Sequence, residues 1–185
     1  MNKTKTIVFT GMMTAVICTL SVLQIPMPTG VPITLQTFAI ALAGYVLGPV
    51  LGASCAALYL LLGLIGVPCY AGFSSGPGVL FGVTGGFIWG FILMALLSGF
   101  GKKQTKGFRF AISIALGILG LILCHTLGVV QFAFITKSTL RASFLLVSVP
   151  YLVKDVLSVI GAKLVSMAIN RALSNLSMDS KTAKA

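Results

Sequence analysis

The sequence predicts an all-α integral membrane protein, a bundle of six transmembrane helices with both termini in the cytoplasm. Of its 185 residues, 57% are hydrophobic and only 8% are charged, whereas an ordinary soluble domain is about 25% charged. A chain of this size has too much peripheral surface to hide so many apolar side chains from water. Because lipid offers the backbone no hydrogen bonds, the apolar segments are expected to be helices.

Six apolar stretches approach the roughly 20 residues that a helix needs to cross a bilayer. They are predicted at residues 7–25, 33–47, 50–67, 79–100, 108–135 and 143–173. The second and third are short, so we expect them to tilt or to be shielded by neighbouring helices. Neither an internal repeat nor a long linker divides the sequence. We therefore interpret residues 1–185 as one transmembrane domain, with short cytoplasmic tails at about 1–6 and 174–185.

The lysines and arginines set the orientation, because cytoplasmic loops carry an excess of them. With the N-terminus inside, the outer loops hold only Lys137 and Arg141, and the sixth stretch holds Lys154 and Lys163. The inner side holds the other nine, which are Lys3, Lys5, Lys102, Lys103, Lys106, Arg109, Arg171, Lys181 and Lys184. This distribution predicts cytoplasmic termini.

Composition also excludes several functions. The net charge of +11 lies in short runs between apolar segments and not on one basic face, so a nucleic-acid partner is not expected. The sequence has no glutamate, and Gly101-Lys102-Lys103 lacks the hydroxyl of a phosphate loop, so any ATPase belongs to another chain. Four scattered cysteines form no Cys-x-x-Cys pair and are interpreted as small hydrophobic residues, with no metal site.

Two uncharged loops face the outside in this topology. The first loop, residues 24–32, contains three prolines, and the second loop, residues 68–78, is rich in glycine and serine. Proline fixes φ and glycine permits close approach of the backbone, so the loops are expected to have defined shapes. They could cap a ligand pocket that opens to the outside. They could equally be tight helix connections, since proline and glycine dominate such connections generally.

Asp155 is the only acid before residue 179 and lies in the sixth stretch with Lys154 and Lys163. A charge at mid-membrane costs about 2.5–3.5 kcal/mol, so something should favour keeping it. The carboxylate could accept hydrogen bonds from a ligand rich in N–H groups, or bind a cation. The alternative is an internal ion pair, for which both lysines have poor helical spacing. Lys154 is instead expected to snorkel outward, and Lys163 to snorkel or to face the bundle.

Other polar and small residues leave alternatives open. His125 is expected to bond a carbonyl of a neighbouring helix, the alternative being a proton relay with Asp155. Gln36, beside the first loop, could recognise an amide-like ligand or join two helices. Gly11 and Ala15 lie four residues apart and permit close helix approach, either inside the bundle or against another membrane protein.

Four segments together resemble BioY, the family of biotin-binding S components of energy-coupling factor (ECF) transporters. The resemblance extends over about residues 7–170, and the segments that carry it are 31–38 (VPITLQTF), 47–49 (LGP), 60–68 (LLLGLIGVP) and 71–76 (AGFSSG). It implies a substrate-specific membrane subunit for biotin uptake in the plasma membrane of a prokaryote. It also implies a transmembrane coupling protein and two cytoplasmic ATPases as partners, with biotin bound as the transported ligand, no cofactor and no enzymatic activity.

The resemblance implies a site as well. The two outer loops close over biotin, Asp155 contributes from the last helix, and Ser158 stands where the family often has lysine. Gly11 and Ala15 resemble the surface that docks the coupling protein. The predicted ligand contacts are Asp155, Gln36, Tyr70, Gly72, Phe73, Ser74, Ser75, Tyr151 and Ser158. The competing hypotheses are an S component for another vitamin, an intramembrane enzyme that uses Asp155 and His125, and a small channel.

Overall fold

The computed structural model describes residues 3–103 and 106–182, and side chains up to Leu173. The fold is mostly helical, as predicted. Lys184 and the side chain of Lys181, both assigned to the inner side, lie outside this description. The elements in chain order are α1 Lys3–Val22, β1 Gln24–Ile25, β2 Ile33–Thr34, α2 Gln36–Leu47, α3 Pro49–Leu64, α4 Pro77–Leu80, α5 Gly85–Phe100, α6 Gly107–Thr136, α7 Leu140–Val147 and α8 Val149–Thr182.

Among the described residues, two helices, α1 and α6, are long and apolar enough to cross a membrane. The pair α7 and α8, bent by 53°, is a third if it is counted as one span. Helices α2, α3 and α5 are also apolar but have only 12, 16 and 16 residues, fewer than a span ordinarily needs. This composition identifies a membrane protein.

Helix α2 lies at the centre of the bundle. It packs against α1, α3, α5 and α8, and nine of its 12 residues are buried. A helix that is apolar on all sides is stable only when other elements surround it. The expectation that a short second helix is shielded by its neighbours is therefore confirmed.

Glycines bring α5 and α6 into backbone contact. A Cβ atom added at Gly90 would lie 2.6 Å from Cys124 Cα, and one at Gly86 would lie 2.3 Å from Leu127 O. On the facing helix, a Cβ at Gly120 would lie 2.9 Å from Met94 Cα. Such close approach in membrane helices depends on small residues at the contact.

Three features depart from the predicted spans. The first loop is an antiparallel hairpin in which Gln24 pairs with Thr34 and Ile25 with Ile33. The fourth span is broken between α4 and α5, where a Cβ at Gly85 would meet Leu80 O at 1.7 Å. The sixth span bends at Ser148, so that α8 starts at Val149. Pro150 thus lies in the first turn of α8, a position that suits proline because it needs no hydrogen bond from the backbone N–H.

Lysines cap helix ends at the side of the bundle opposite the hairpin. Lys163 is fully buried and faces the bundle, one of its two predicted positions. Its Nζ donates to Gly101 O at 2.8 Å and lies 5.2 Å from the centroid of the Tyr45 ring. Lys102 Nζ donates to Leu47 O at 3.2 Å, at the C-terminus of α2. Cations are stabilising at helix C-termini, where carbonyl groups lack partners.

Replacing Gly90 with alanine should destabilise the protein, because the new Cβ would meet the α6 backbone, which cannot move aside cheaply. Overpacking of this kind costs about 1–3 kcal/mol, and we expect the melting temperature in detergent to fall by roughly 2–12 °C. Gly161→Ala is the matched control, since its Cβ would make only an ordinary 3.8 Å contact with Phe38. Equal melting temperatures for the two variants would contradict this account of the α5–α6 contact.

Candidate ligand-binding site

A cavity of about 350 Å³ lies beneath the hairpin and the second loop. Its walls come from both loops and from helices α2, α4, α5, α6, α7 and α8. This volume falls at the lower end of the range for small-molecule sites, about 300–1,000 Å³. The pocket expected under the two outer loops is therefore present in the fold.

The lining divides into an apolar wall and a set of polar groups. The apolar wall comes mainly from α4, α5 and α6, with Val79, Val83, Phe87, Ile88, Phe91 and Leu121. The side chains with polar atoms are Gln24, Thr34, Gln36, Thr37, Tyr70, Ser74, Thr84, His125, Tyr151, Lys154 and Asp155. Most small-molecule sites share this design, in which apolar area provides affinity and a few polar groups provide orientation.

Asp155 is the acidic group of the cavity and is only 4% exposed. Its Oδ2 lies 3.1 Å from His125 Nε2, and its Oδ1 forms an ion pair with Lys154 Nζ. The Thr37 hydroxyl lies near enough to interact with the carboxylate. Within the described residues, Oδ1 nevertheless accepts no hydrogen bond of ordinary geometry. An ionised carboxylate can accept about four hydrogen bonds, so the group has acceptor capacity beyond the partners that it has in the fold.

The expectation that Lys154 snorkels away from Asp155 is wrong. Neighbouring side chains leave a helix about 100° apart, but the long lysine stem folds back far enough for Nζ to reach Oδ1. Lys154 Nζ also donates to Thr34 O at 3.0 Å. Lys154 therefore holds strand β2 of the hairpin against α8 and partly neutralises the carboxylate.

The expected partner of His125 is also wrong. Among the described residues, His125 bonds no helix carbonyl. It lies 2.9 Å from Ser148 Oγ through Nδ1 and 3.1 Å from Asp155 Oδ2 through Nε2. Because an ionised carboxylate only accepts, Nε2 donates to Asp155 Oδ2. The rings of His125 and Phe87 pack edge to face, with their centroids 5.5 Å apart. His125 thus orients Asp155 and fixes the bend between α7 and α8.

Tyr151 joins the first loop to α8. Its hydroxyl donates to Val31 O and lies 2.9 Å from Thr29 Oγ1. The ring is buried and lines the cavity. Tyr151 and Lys154, one turn apart on α8, therefore hold the turn of the hairpin and strand β2 in place.

The second loop is organised around Tyr70 and Ser74, both of which line the cavity. The Tyr70 hydroxyl donates to Leu60 O at 2.6 Å, and its ring packs edge-on against Tyr59 with centroids 5.3 Å apart. Ser74 Oγ donates to Ala71 O at 2.8 Å. A Cβ at Gly63 would overlap the Tyr70 ring at 2.1 Å, so this glycine makes room for the buried ring.

Gln36 joins two helices, which is one of the two interpretations that the sequence left open. Its Nε2 donates to Tyr59 OH at 2.7 Å and so joins α2 to α3, while its Oε1 accepts from Thr34 Oγ1 at 2.9 Å. The side chain also lines the cavity. An amide has two N–H groups and two lone pairs, so one donor and one acceptor remain for a ligand.

Four predicted contacts do not line the cavity: Gly72, Phe73, Ser75 and Ser158. Phe73 is 69% exposed, and Ser158 is buried one turn further along α8. Gly72 has a φ of 64°, and a Cβ there would lie 2.1 Å from Gln24 Nε2, a side chain that does line the cavity. Gly72 therefore shapes the site indirectly, by letting Gln24 approach.

Sequence reasoning missed several contributors to the site. Thr34 and Thr37 lie in a segment that carries the resemblance, but neither they nor Thr84 stood out as single residues, because threonine is common in helices and turns. Gln131 gave a clearer signal, because a side-chain amide within an apolar helix is expected to form a hydrogen bond with a neighbouring segment. Its Nε2 donates to Leu80 O and Gly82 O, each at 2.8 Å, and so satisfies carbonyls at the α4–α5 break that borders the cavity.

Comparison with known proteins identifies the family of this chain. Residues 1–175 match the profile of the BioY family. The biotin transporter BioY of Thermotoga maritima is 34% identical over 161 residues, which cover 87% of this chain and 93% of that protein. Biotin transporter BioY2 of Lactococcus lactis subsp. cremoris is 35% identical over 161 residues, 87% of each chain.

The fold of this chain is also similar to that of a solved structure. A crystal structure of the S-component for biotin from an ECF-type ABC transporter superposes with a TM-score of 0.83 and 28% identity, covering 92% of this chain and 94% of that one. The cavity, the loops above it and the helices around it thus occur in a chain that belongs to the BioY family.

Proposed function

We propose that this chain is the substrate-binding subunit of a biotin uptake system, which captures biotin in the cavity beneath the two loops. The observation that carries the proposal is Asp155, a buried carboxylate in the cavity lining whose Oδ1 has an ion pair with Lys154 but, within the described residues, no hydrogen bond of ordinary geometry. The relatives named as biotin transporters support the choice of ligand.

The chemistry of biotin matches the lining. Its ureido ring carries two N–H donors and one carbonyl acceptor, while its thioether ring and chain are apolar. Asp155 accepts one ureido N–H, and Gln36 and Ser74 are placed to answer other polar atoms. The rings of Tyr70 and Tyr151 extend the apolar wall. An analogue that lacked the donor would leave a buried carboxylate unpaired, which is the basis of strong discrimination.

The remaining predicted contacts have supporting roles in this proposal. Gly72 and Ser75 set the path of the second loop, and the exposed Phe73 covers the entrance when biotin is bound. Ser158 lies one turn below Asp155 and supports that part of α8. The carboxylate of biotin points toward water or backbone N–H groups and away from Asp155, since two like charges would repel each other.

For the topology, we propose six membrane segments in a single domain with both termini in the cytoplasm. The broken pairs α4–α5 and α7–α8 complete the fourth and sixth segments, and neighbouring helices shield the shorter ones. The cavity lies at the end of the bundle that carries few cations, and Lys102, Lys103, Lys106 and Arg171 lie at the other end. The positive-inside rule then assigns the cavity to the outer surface of the plasma membrane.

Uptake itself requires energy, which we assign to an ECF coupling protein and two cytoplasmic ATPases. Gly11 and Ala15 are exposed on α1, and a Cβ added at Gly11 would meet nothing within 4 Å. Small exposed residues four apart let another helix approach closely. This surface of α1 is the proposed docking site for the coupling protein.

A titration of the purified chain tests the ligand directly. We expect biotin to bind at one site, and riboflavin or thiamine at the same concentrations to leave the heat signal unchanged. Binding of a flavin or thiamine in place of biotin would assign the chain to another vitamin.

Asp155→Ala should weaken biotin binding by roughly 10- to 150-fold, because a hydrogen bond to a charged group contributes about 1.5–3 kcal/mol. Asp155→Asn retains the shape and an acceptor oxygen, so its loss should be smaller. Both affinities come from calorimetric titration, with melting temperatures without ligand to show that the variants fold. Unchanged affinity in a folded Asp155→Ala variant would remove this residue from the site.

Tyr151→Phe should release biotin faster, because the ring wall stays while the hydroxyl that holds the first loop is lost. Loss of such hydrogen bonds costs about 0.5–1.5 kcal/mol, so we expect the dissociation rate to rise roughly 2- to 10-fold. Tyr45→Phe removes a hydroxyl that donates to Ser113 O at 3.0 Å, at the opposite end of the bundle, and serves as the control. Equal dissociation rates in the two variants would argue against the loop as a lid.

The double variant Gly11→Leu/Ala15→Leu should bind biotin normally but abolish uptake by the complete transporter, because leucine would hold the partner helix away. Ala111→Leu/Ala115→Leu is the matched control, since it places two leucines at the same spacing on an exposed face of α6. Uptake of labelled biotin is the readout. Normal uptake with both double variants would show that this face of α1 only contacts lipid.

A further inference from the structure

A second cavity, of about 570 Å³, lies at the end of the bundle opposite the first. It is a groove between α8 and the segment that connects α5 to α6. Four cationic side chains line it: Lys102, Lys103, Lys106 and Arg171. Asn170 and Met167 on α8 complete most of the wall.

The position of this basic groove follows from the length of α8. Arg171 lies 16 residues beyond Asp155, which at 1.5 Å per residue is about 24 Å along the helix. The hydrocarbon core of a bilayer is about 30 Å thick. With Asp155 just below one membrane surface, the basic groove therefore reaches the headgroup region of the other.

The three lysines of the basic groove call for an anion. No acidic side chain lines the groove among the described residues. Lys102 already donates one hydrogen bond to Leu47 O, and its burial together with the neighbouring Lys103 lowers its pKa. A bound anion would offset this repulsion between the lysines. Lysine suits phosphate, because its ammonium group binds phosphate oxygens as a compact charge.

The surroundings of the basic groove favour a lipid over a soluble anion. Met167 gives it an apolar wall. Large hydrophobic side chains nearby in the chain are exposed, with Phe100 at 55%, Phe108 at 82% and Leu164 at 53%. Acyl chains would cover such side chains while a headgroup occupies the cationic end. Basic sites between helices at the cytoplasmic surface are suited to anionic lipid headgroups.

We propose that the basic groove binds the phosphate headgroup of an anionic phospholipid, in the leaflet opposite the ligand cavity. The site shares no lining residue with the ligand cavity. Its occupancy would hold Lys102, Lys103 and Lys106 against α8.

Melting temperatures of the delipidated protein in detergent test this proposal, with dioleoyl phosphatidylglycerol, dioleoyl phosphatidylcholine and sodium phosphate as probes at equal ionic strength. We expect phosphatidylglycerol alone to raise the melting temperature. In Lys103→Gln/Lys106→Gln the same rise should need roughly ten times more lipid, since each interfacial cation contributes about 1 kcal/mol to anionic lipid binding. Both lysines are exposed, so the variant should keep its melting temperature without lipid.

Lys3→Gln/Lys5→Gln is the matched control, because it removes the same charge from exposed positions that do not line the basic groove. It should respond to phosphatidylglycerol as the unmodified chain does. Equal responses of the two double variants, or equal effects of the two lipids, would overturn the proposal. Stabilisation by phosphate alone would identify a soluble anion site instead. A response to poly-glutamate but not to phosphatidylglycerol would identify a docking site for an acidic protein segment.

Discussion

A buried carboxylate is the constraint on which the outer half of this fold depends. Taking an acid out of water is costly unless partners compensate for the lost hydration. Asp155 obtains them from Lys154 on its own helix and from His125 on α6. Each partner has a second bond elsewhere, Lys154 to Thr34 O in the hairpin and His125 to Ser148 at the α7–α8 bend. The groups that stabilise the charge therefore also position the walls of the cavity.

This arrangement explains how a cavity with polar side chains can exist at a place where leucine side chains would be less costly to bury. Compensation of Asp155 is incomplete, since Oδ1 has an ion pair but no hydrogen bond of ordinary geometry in the described part of the chain. Because the carboxylate is buried, any remaining acceptor capacity would favour a group that brings an N–H donor. Apolar side chains of α5 and α6 then provide contact area without competing for that donor.

The sequence was sufficient for the features that depend on composition and rarity. Asp155 stood out because it is the sole acid of the apolar segments, and Pro150 indicated the start of α8. The sequence did not predict features that depend on how far a side chain can reach or on how strands pair. Helical spacing describes where Lys154 leaves the backbone but not how far its stem can bend, and strands of two residues are too short to show alternation. The breaks beside Gly85 and Ser148 lie in uniformly apolar sequence, where hydropathy carries no signal.

Helix α2 determines how a captured molecule can leave. Its N-terminus borders the cavity, its C-terminus meets Lys102, and nine of its 12 residues are buried among the surrounding helices. Tightly packed side chains thus occupy the straight route through the centre of the bundle. A ligand in the cavity could therefore reach the opposite end of the bundle only if the helices around α2 separated or if the whole protein changed its orientation.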